Sequence, residues 1–264
     1  MTIKSILVLG SGPIKIGQAA EFDYAGSQAC KALHEEGYRV ILLNSNPATI
    51  QTDTAMADIV YIKPLTAKTV EAIVKEHHPK GVIATLGGQT ALNLCVECEE
   101  KGIWREFGVK VLGTPTSAIK TAEGRESFKE LMKKIGQPVP ASVSASSVDE
   151  ALGFAGSNRY PLIIRPDYTL GGTGGGVAKK EEELKIKAKE GLEASPVHKI
   201  LVEEYLSGWR EFELEVMRDS AGNALCVCGM ENVDPMGIHT GDSIVVSPIV
   251  TLSDFQRNRL RSAA

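Results

Sequence analysis

The chain reads as an α/β protein in two parts, a parallel-sheet part followed by an α+β part. Two observations predict this. Over the first ~120 residues, short apolar runs alternate with amphipathic helical stretches, as in a parallel α/β layer. Beyond about Ala122 the alternation breaks down, and Glu211–Arg218 repeats with a period of two before the turn-forming Ala221-Gly222-Asn223. Domains of 1–122 and 123–264 are expected.

In the first part, Ser5–Gly10 reads as a buried strand. Gln18–Glu36 reads as a helix, with Ala20, Tyr24, Ser27, Cys30, Ala32 and Leu33 on one side. Arg39–Leu43, Ile59–Ile62, Gly81–Ala84 and Val109–Leu112 are further strands. Thr66–His77 and Gln89–Lys101 are the helices between them. In the second part, Arg125–Ile135 is a lysine-rich amphipathic helix and Ser142–Val143 a strand. Ser147 caps a helix to about Ala155, Pro161–Arg165 is a strand, and Glu181–Glu190 is a charged helix. Ile200–Glu203, Glu211–Arg218 and Ala224–Glu231 complete the strands, and Ser253 opens a helix that runs to the last residue.

Composition excludes several classes. A net charge of −4 with no basic stripe argues against nucleic acid. No window approaches the ~18 apolar residues of a membrane span, and Met1-Thr2-Ile3-Lys4 has no leader pattern, so a cytoplasmic protein is expected. The five cysteines do not show the paired spacing of a structural zinc site; five reduced thiols, mostly buried, are expected. Cys226 and Cys228 should share one face of a strand.

Four segments carry candidate chemistry. Ile163–Val177 runs from an apolar strand through Arg165 into five glycines among six residues, Gly171 to Gly176. Glycine lets a backbone approach a ligand closely, and an arginine beside exposed N–H groups offers a fork for phosphate. A glycine-rich surface loop is the plain alternative, and no G-K-[ST] follows to make a Walker loop. Gly10-Ser11-Gly12 with Gly17 departs from the dinucleotide fingerprint, and Asn44-Ser45-Asn46-Pro47 stands where the ribose-binding acid would be. A structural βα turn is the better reading there. On Glu211–Val216, Phe212, Leu214 and Val216 should face inward, with Glu211, Glu213 and Glu215 opposite. Three like charges on one face repel unless cations, ribose hydroxyls or arginines offset them; a solvated acidic strip is the alternative. Met230–Ser243 is an oxygen-rich loop holding His239.

Together these segments resemble the amino-terminal, carboxyphosphate-forming half of carbamoyl phosphate synthetase large subunits, members of the ATP-grasp superfamily. The resemblance rests on GSGPIKIGQAAEFDYAGSQACKAL from Gly10, NSNPATIQTD from Asn44, TLGGQTALN from Thr85, IIRPDYTLGGTGGG from Ile163 and ENVDPMGIHTGDSIVVSP from Glu231. It implies a Rossmann-like pre-ATP-grasp domain followed by an incomplete ATP-grasp domain. It also implies an ATP-dependent carbon–nitrogen ligase that phosphorylates bicarbonate to carboxyphosphate. Ammonia from a glutaminase small subunit then gives carbamate, and the rest of the large subunit makes carbamoyl phosphate for arginine and pyrimidine supply. A biotin-dependent carboxylase shares the glycine-loop logic but not the EFDYAGSQACKAL string.

Carried over position by position, the resemblance assigns Arg125, Arg165, Gly171 and Gly172 to nucleotide phosphates, and Glu204 and Leu206 to the segment beside adenine and ribose. Glu211 goes to the ribose and a cation, and Gly237, Ile238 and His239 to the phosphate loop; Arg165 and His239 are the catalytic candidates. Asn232, Asp234 and Ser243, with Glu211, are candidate K+ ligands. The ATP is expected between the glycine loop and one sheet carrying both Arg165 and Glu211. The family's Mg2+ or Mn2+ ligands include a glutamate and asparagine just before Pro-Arg, and no E-x-N-P-R string occurs in the 264 residues. The chain is therefore expected to be a piece of a longer protein. It should bind nucleotide or serve assembly without turning over bicarbonate at a normal rate.

Overall fold

The computed structural model describes residues 5–14, 21–167, 174–238 and 242–264, with Arg125 described by its backbone alone. Its contacts divide the chain into two compact units, Met1–Leu131 and Met132–Ala264.

In the first unit, β1 (Ser5–Leu9), β2 (Arg39–Asn44), β3 (Ile59–Ile62), β4 (Gly81–Ile83) and β5 (Lys110–Leu112) form one parallel sheet in the order β3-β2-β1-β4-β5. Helices α1 (Glu21–Glu35), α2 (Ala67–His77), α3 (Gly88–Glu100) and α4 (Ile103–Phe107) accompany the strands. Both faces of the central strands are apolar because helices cover both. Leu7, Leu9, Ile41 and Leu43 pack with Val70, Ile73, Val74, Leu94 and Trp104 on one face. Val8, Val40 and Leu42 pack with Cys30 on the other. The sequence reading holds for every strand here. It missed α4, whose flanking Gly102 and Gly108 both take left-handed conformations, and α5 (Thr116–Glu123). Tyr24 does not join the buried side of α1; it is 69% exposed, and Gly26, Ser27, Ala29 and Cys30 are the buried residues.

After α6 (Arg125–Lys134), which crosses the division between the units, the second unit holds two separate sheets. Strands β6 (Ser142–Ala145), β7 (Leu162–Pro166), β8 (Gly176–Ala178) and β9 (Ile200–Glu204) form an antiparallel sheet in the order β6-β9-β7-β8. Helices α7 (Val148–Ala155) and α8 (Glu181–Ala194) supply Ala151, Leu184 and Ala188 to a core with Leu162, Ile164, Ile200 and Val202. Strands β10 (Glu211–Arg218), β11 (Ala224–Asn232) and β12 (Val245–Val246) form the other sheet, and α9 (Asp254–Ala263) follows, opened by a Ser253–Gln256 capping box.

This arrangement corrects the expectation of one sheet carrying both Arg165 and Glu211. Arg165 lies on β7 and Glu211 on β10, in different sheets. Strand periodicity tells which side chains share a face, but not which strands share a ladder.

Candidate functional site

The open face of the β6-β9-β7-β8 sheet is read from its register. Leu162 and Ile164 point to the helices, so Ile163 and Arg165 point the other way, together with Leu201 and Glu203 on β9. Arg165 Nη1 lies 3.8 Å from Glu203 Oε1, with Arg165 half-exposed and Glu203 largely covered. Nothing in the sequence singled out Glu203. Its role depends on the offset at which β7 meets β9, which no local pattern specifies.

Beyond Asp167 the chain enters the glycine segment, and it returns as β8 antiparallel to β7, so the segment joins two arms of a hairpin. The far end of that hairpin is pinned to α8. Gly174 has φ +72°, and a Cβ there would stand 2.5 Å from the Ala194 Cβ. At Gly176 a Cβ would stand 2.8 Å from Lys187 Nζ. Gly174 is required by its backbone conformation and close packing, whereas at Gly176 the flexible Lys187 tip can give way. Gly171, Gly172 and His239 lie outside the described residues, and the Arg125 side chain does too.

Glu204 ends β9 with an exposed side chain. Its N–H donates to Ala141 O at 2.9 Å, and the Tyr205 N–H to Pro161 O at 3.2 Å. Leu206, half-buried, closes a turn in which its carbonyl accepts the Trp209 N–H. Gly237, at φ +102°, approaches this segment: a Cβ built on it would lie 3.8 Å from the Tyr205 hydroxyl. The structure thus brings Gly237 near Tyr205, the residue between Glu204 and Leu206.

On the second sheet, Glu211 stands directly opposite Asn232, and Glu213 opposite Met230. Asn232 Nδ2 donates to Glu213 Oε1 at 3.2 Å, so an amide engages one carboxylate of the acidic face. Asp234 Oδ2 accepts the Ile244 N–H at 2.7 Å and the Ser243 hydroxyl at 3.0 Å, and these donors hold its carboxyl below the usual carboxylate range. Two oxygen-donor pairs result, Glu211 with Asn232 and Asp234 with Ser243. Carboxylate, amide and hydroxyl oxygens suit a hard cation. Among the described residues no group of three or more His, Cys, Asp and Glu gathers as a metal centre.

The inward face of β10 departs from the period-two reading at one residue. Val216 is 39% exposed. The register slips between Glu215, opposite Cys228, and Val216, opposite Cys226, leaving Val227 as the extra residue of a bulge. Because Glu215 and Val216 point to opposite faces, the bulge also separates Cys226 and Cys228, which were expected on one face.

The glycine turn of the first unit is self-satisfied. Asn44, fully buried at the end of β2, accepts the Gly12 N–H at 3.0 Å and the Asn46 N–H at 3.0 Å through Oδ1. Its Nδ2 donates to Gln51 Oε1 at 2.5 Å. A dinucleotide pyrophosphate would need such N–H groups free. Asn44 occupies the Gly12 N–H instead.

With this geometry described, comparison with known proteins is decisive. Residues 2–121 match the carbamoyl phosphate synthase preATP-grasp domain model. Residues 124–264 match the carbamoyl-phosphate synthase L chain, ATP binding domain model. The chain belongs to the carbamoyl phosphate synthase large-chain family. It is 58% identical over 263 residues to a carbamoyl phosphate synthase large chain, N-terminal section, from Methanopyrus kandleri, covering all of this chain and 47% of that one. It is 58% identical over 262 residues to a carbamoyl phosphate synthase large chain of Thermoanaerobacter pseudethanolicus, covering 99% of this chain and 24% of that one. The chain thus spans from about a quarter to about half of these relatives. Among solved structures, the biotin carboxylase–β,γ-ATP complex of Campylobacter jejuni superposes with a TM-score of 0.76 at 19% identity, over 99% of this chain and 58% of that one. An ADP complex of N5-carboxyaminoimidazole ribonucleotide synthetase gives 0.73 at 17% identity, over 98% of this chain and 61% of that one. These structures share the fold of this chain. No helix among the described residues is long and apolar enough to cross a membrane.

Proposed function

We propose that this chain supplies the nucleotide-binding part of a carbamoyl phosphate synthase large chain, the part that phosphorylates bicarbonate with ATP. The observation that supports it most is Arg165, on the open face of β7 at the foot of the glycine hairpin and aligned by Glu203. A guanidinium there neutralises a nucleotide phosphate, and glycine N–H groups from Gly171 and Gly172 complete the cradle. Phosphoryl transfer depends on positioning and charge neutralisation, which such groups provide without covalent chemistry. Arg125 and His239 are assigned to phosphate contacts, Glu204 and Leu206 to adenine and ribose, and Gly237 and Ile238 to the loop over the phosphates.

ATP supplies the transferred phosphoryl group, and Mg2+ or Mn2+ neutralises its charge when bound. The chain lacks the E-x-N-P-R string that carries divalent-metal ligands, so those ligands come from elsewhere in the longer protein. Glu211, Asn232, Asp234 and Ser243 form an all-oxygen donor set suited to K+. Bicarbonate is the acceptor. Ammonia from a glutaminase small subunit and the rest of the large chain complete the route to carbamoyl phosphate, in the cytoplasm, for arginine and pyrimidine synthesis. In this scheme residues 1–122 form the pre-ATP-grasp domain and 123–264 the ATP-grasp portion.

A second reading, an ATP-binding or assembly piece without turnover, is favoured by the quarter-to-half coverage of the relatives. Bicarbonate-dependent ATP hydrolysis decides between them. Turnover once the chain is extended by the remaining large-chain sequence supports the enzyme. ATP binding with no turnover in either form supports the binding or assembly piece. Failure of both forms to bind ATP refutes the proposal.

A further inference from the structure

Behind the acidic face of the β10–β11 ladder lies a second cluster. Glu211 and Asn232 are cross-strand partners, and their immediate chain neighbours are Arg210 and Glu231. By strand alternation Glu231 points to the opposite face from Asn232, where it stands across from Phe212. There Glu231 is 6% exposed. Its carboxylate accepts the Val250 N–H at 3.3 Å, the Thr251 N–H at 3.2 Å and, in a short hydrogen bond, the Thr251 hydroxyl. Arg210 Nη1 donates to Thr251 Oγ1 at 2.7 Å and lies 3.9 Å from Glu231 Oε1, its guanidinium over the Phe212 ring. The adjoining Ile249 is buried, its Cδ1 so near Gly229 that a Cβ there would stand 2.9 Å away.

We infer that Arg210, Glu231 and Thr251 form a clasp on the back of this sheet whose task is to position Glu211 and Asn232 on the front for the nucleotide and its cation. These are assigned as positioning residues, acting on the ligand through Glu211 and Asn232. The physical case is one of leverage. Arg210 and Glu231 are each one residue away from a front-face group, on the two strands that present the pair. The clasp joins both strands to one strap, Val250–Thr251, so strand separation and tilt at Glu211 and Asn232 are set from behind. A buried carboxylate is tolerated only when its oxygens are satisfied, and here three donors and an arginine do so.

The inference rests on the nucleotide reading above, and the test separates the two. Thr251 is exposed, so Thr251→Val keeps shape and removes only the hydroxyl, while Thr251→Ser keeps the hydroxyl. Both variants of the full chain are compared with the parent for thermal midpoint, for trinitrophenyl-ATP affinity, and for amide deuterium uptake in peptides covering 211–213 and 230–234. The expected result is about tenfold weaker nucleotide binding for Thr251→Val, the scale for groups that orient ligating residues. Uptake should be faster in those two peptides, the midpoint lower because the buried carboxylate loses one donor, and Thr251→Ser should restore all of it. Parent-like uptake and affinity in Thr251→Val overturn the clasp. A parent chain that binds no nucleotide refutes the nucleotide reading instead, and the exchange measurement still decides the clasp.

Discussion

Gly26 on α1 and Gln51 in the β2–β3 connection share one small space: a Cβ on Gly26 would fall 1.4 Å from Gln51 Nε2. Gln51 is fully buried, held at its Oε1 by Asn44 and flanked by Gly10, where a Cβ would stand 2.5 Å from the same oxygen. The amide therefore has no free direction in which to retreat. Gly26→Ala is expected to cost about 1–3 kcal/mol by overpacking. In a double-mutant cycle with Gln51→Ala, the pair should lose less than the sum of the singles. Urea unfolding measures both; strict additivity would contradict the wedge.

Arg165 is the nearest test of the nucleotide reading. Its removal from the chain is expected to weaken MgATP binding by about 2–4 kcal/mol, the range for truncating one side of a charged contact. Arg165→Lys should recover only part, since an ammonium lacks the two-pronged geometry. Glu203→Gln keeps shape and removes the charge that aligns the guanidinium, and a smaller loss is expected. Calorimetric titration with MgATP gives the comparison, and equal affinities across the series exclude Arg165 from the site.

Alkaline pH should weaken the first unit through its thiols. Burial pushes the pKa of Cys30 and Cys95 up to about 11 and that of Cys98 to about 12. The folded chain then holds protons that the unfolded chain releases near the ordinary value of 9.0, so stability falls as pH rises from there toward 11–12. Each thiol contributes roughly 2–4 kcal/mol to this loss. Thermal midpoints between pH 8 and 11 should decline, and less steeply in Cys98→Ala. At pH 8 a thiol reagent should label Cys226 and Cys228 and spare the three buried cysteines.

Asp58 works in the opposite direction. Its carboxylate accepts the Val40 N–H at 2.7 Å and lies 3.0 Å from His34 Nε2. The Val40 N–H first, and His34 after it, hold its pKa below the ordinary 3.8. A depressed folded value means the stabilisation is complete above that ordinary value and disappears as pH falls through the lower one. Asp58→Ala should lower the thermal midpoint at pH 7, and its gap from the parent should shrink progressively as pH falls below 3.8. A gap independent of pH would exclude the carboxylate's charge as the cause.

Local pattern alone determined most of the elements and the family. Apolar runs located the strands of both units except β8 and β12, and the cap residues Ser147 and Ser253 marked helix starts. These signals are readable because hydrophobic periodicity and capping act within a few residues. The glycine hairpin and the oxygen-rich loop carried the family's wording. What the sequence left open were relations set by pairing offsets and long-range packing: Arg165 and Glu211 on different sheets, Glu203 beside Arg165, the register slip at Val227, and Asn44 accepting the Gly12 N–H. Register and face depend on contacts between residues distant in the chain, whose energies no local window contains. The Glu231 clasp is the clearest case, because its carboxylate meets Thr251 only once three strands and a strap have assembled.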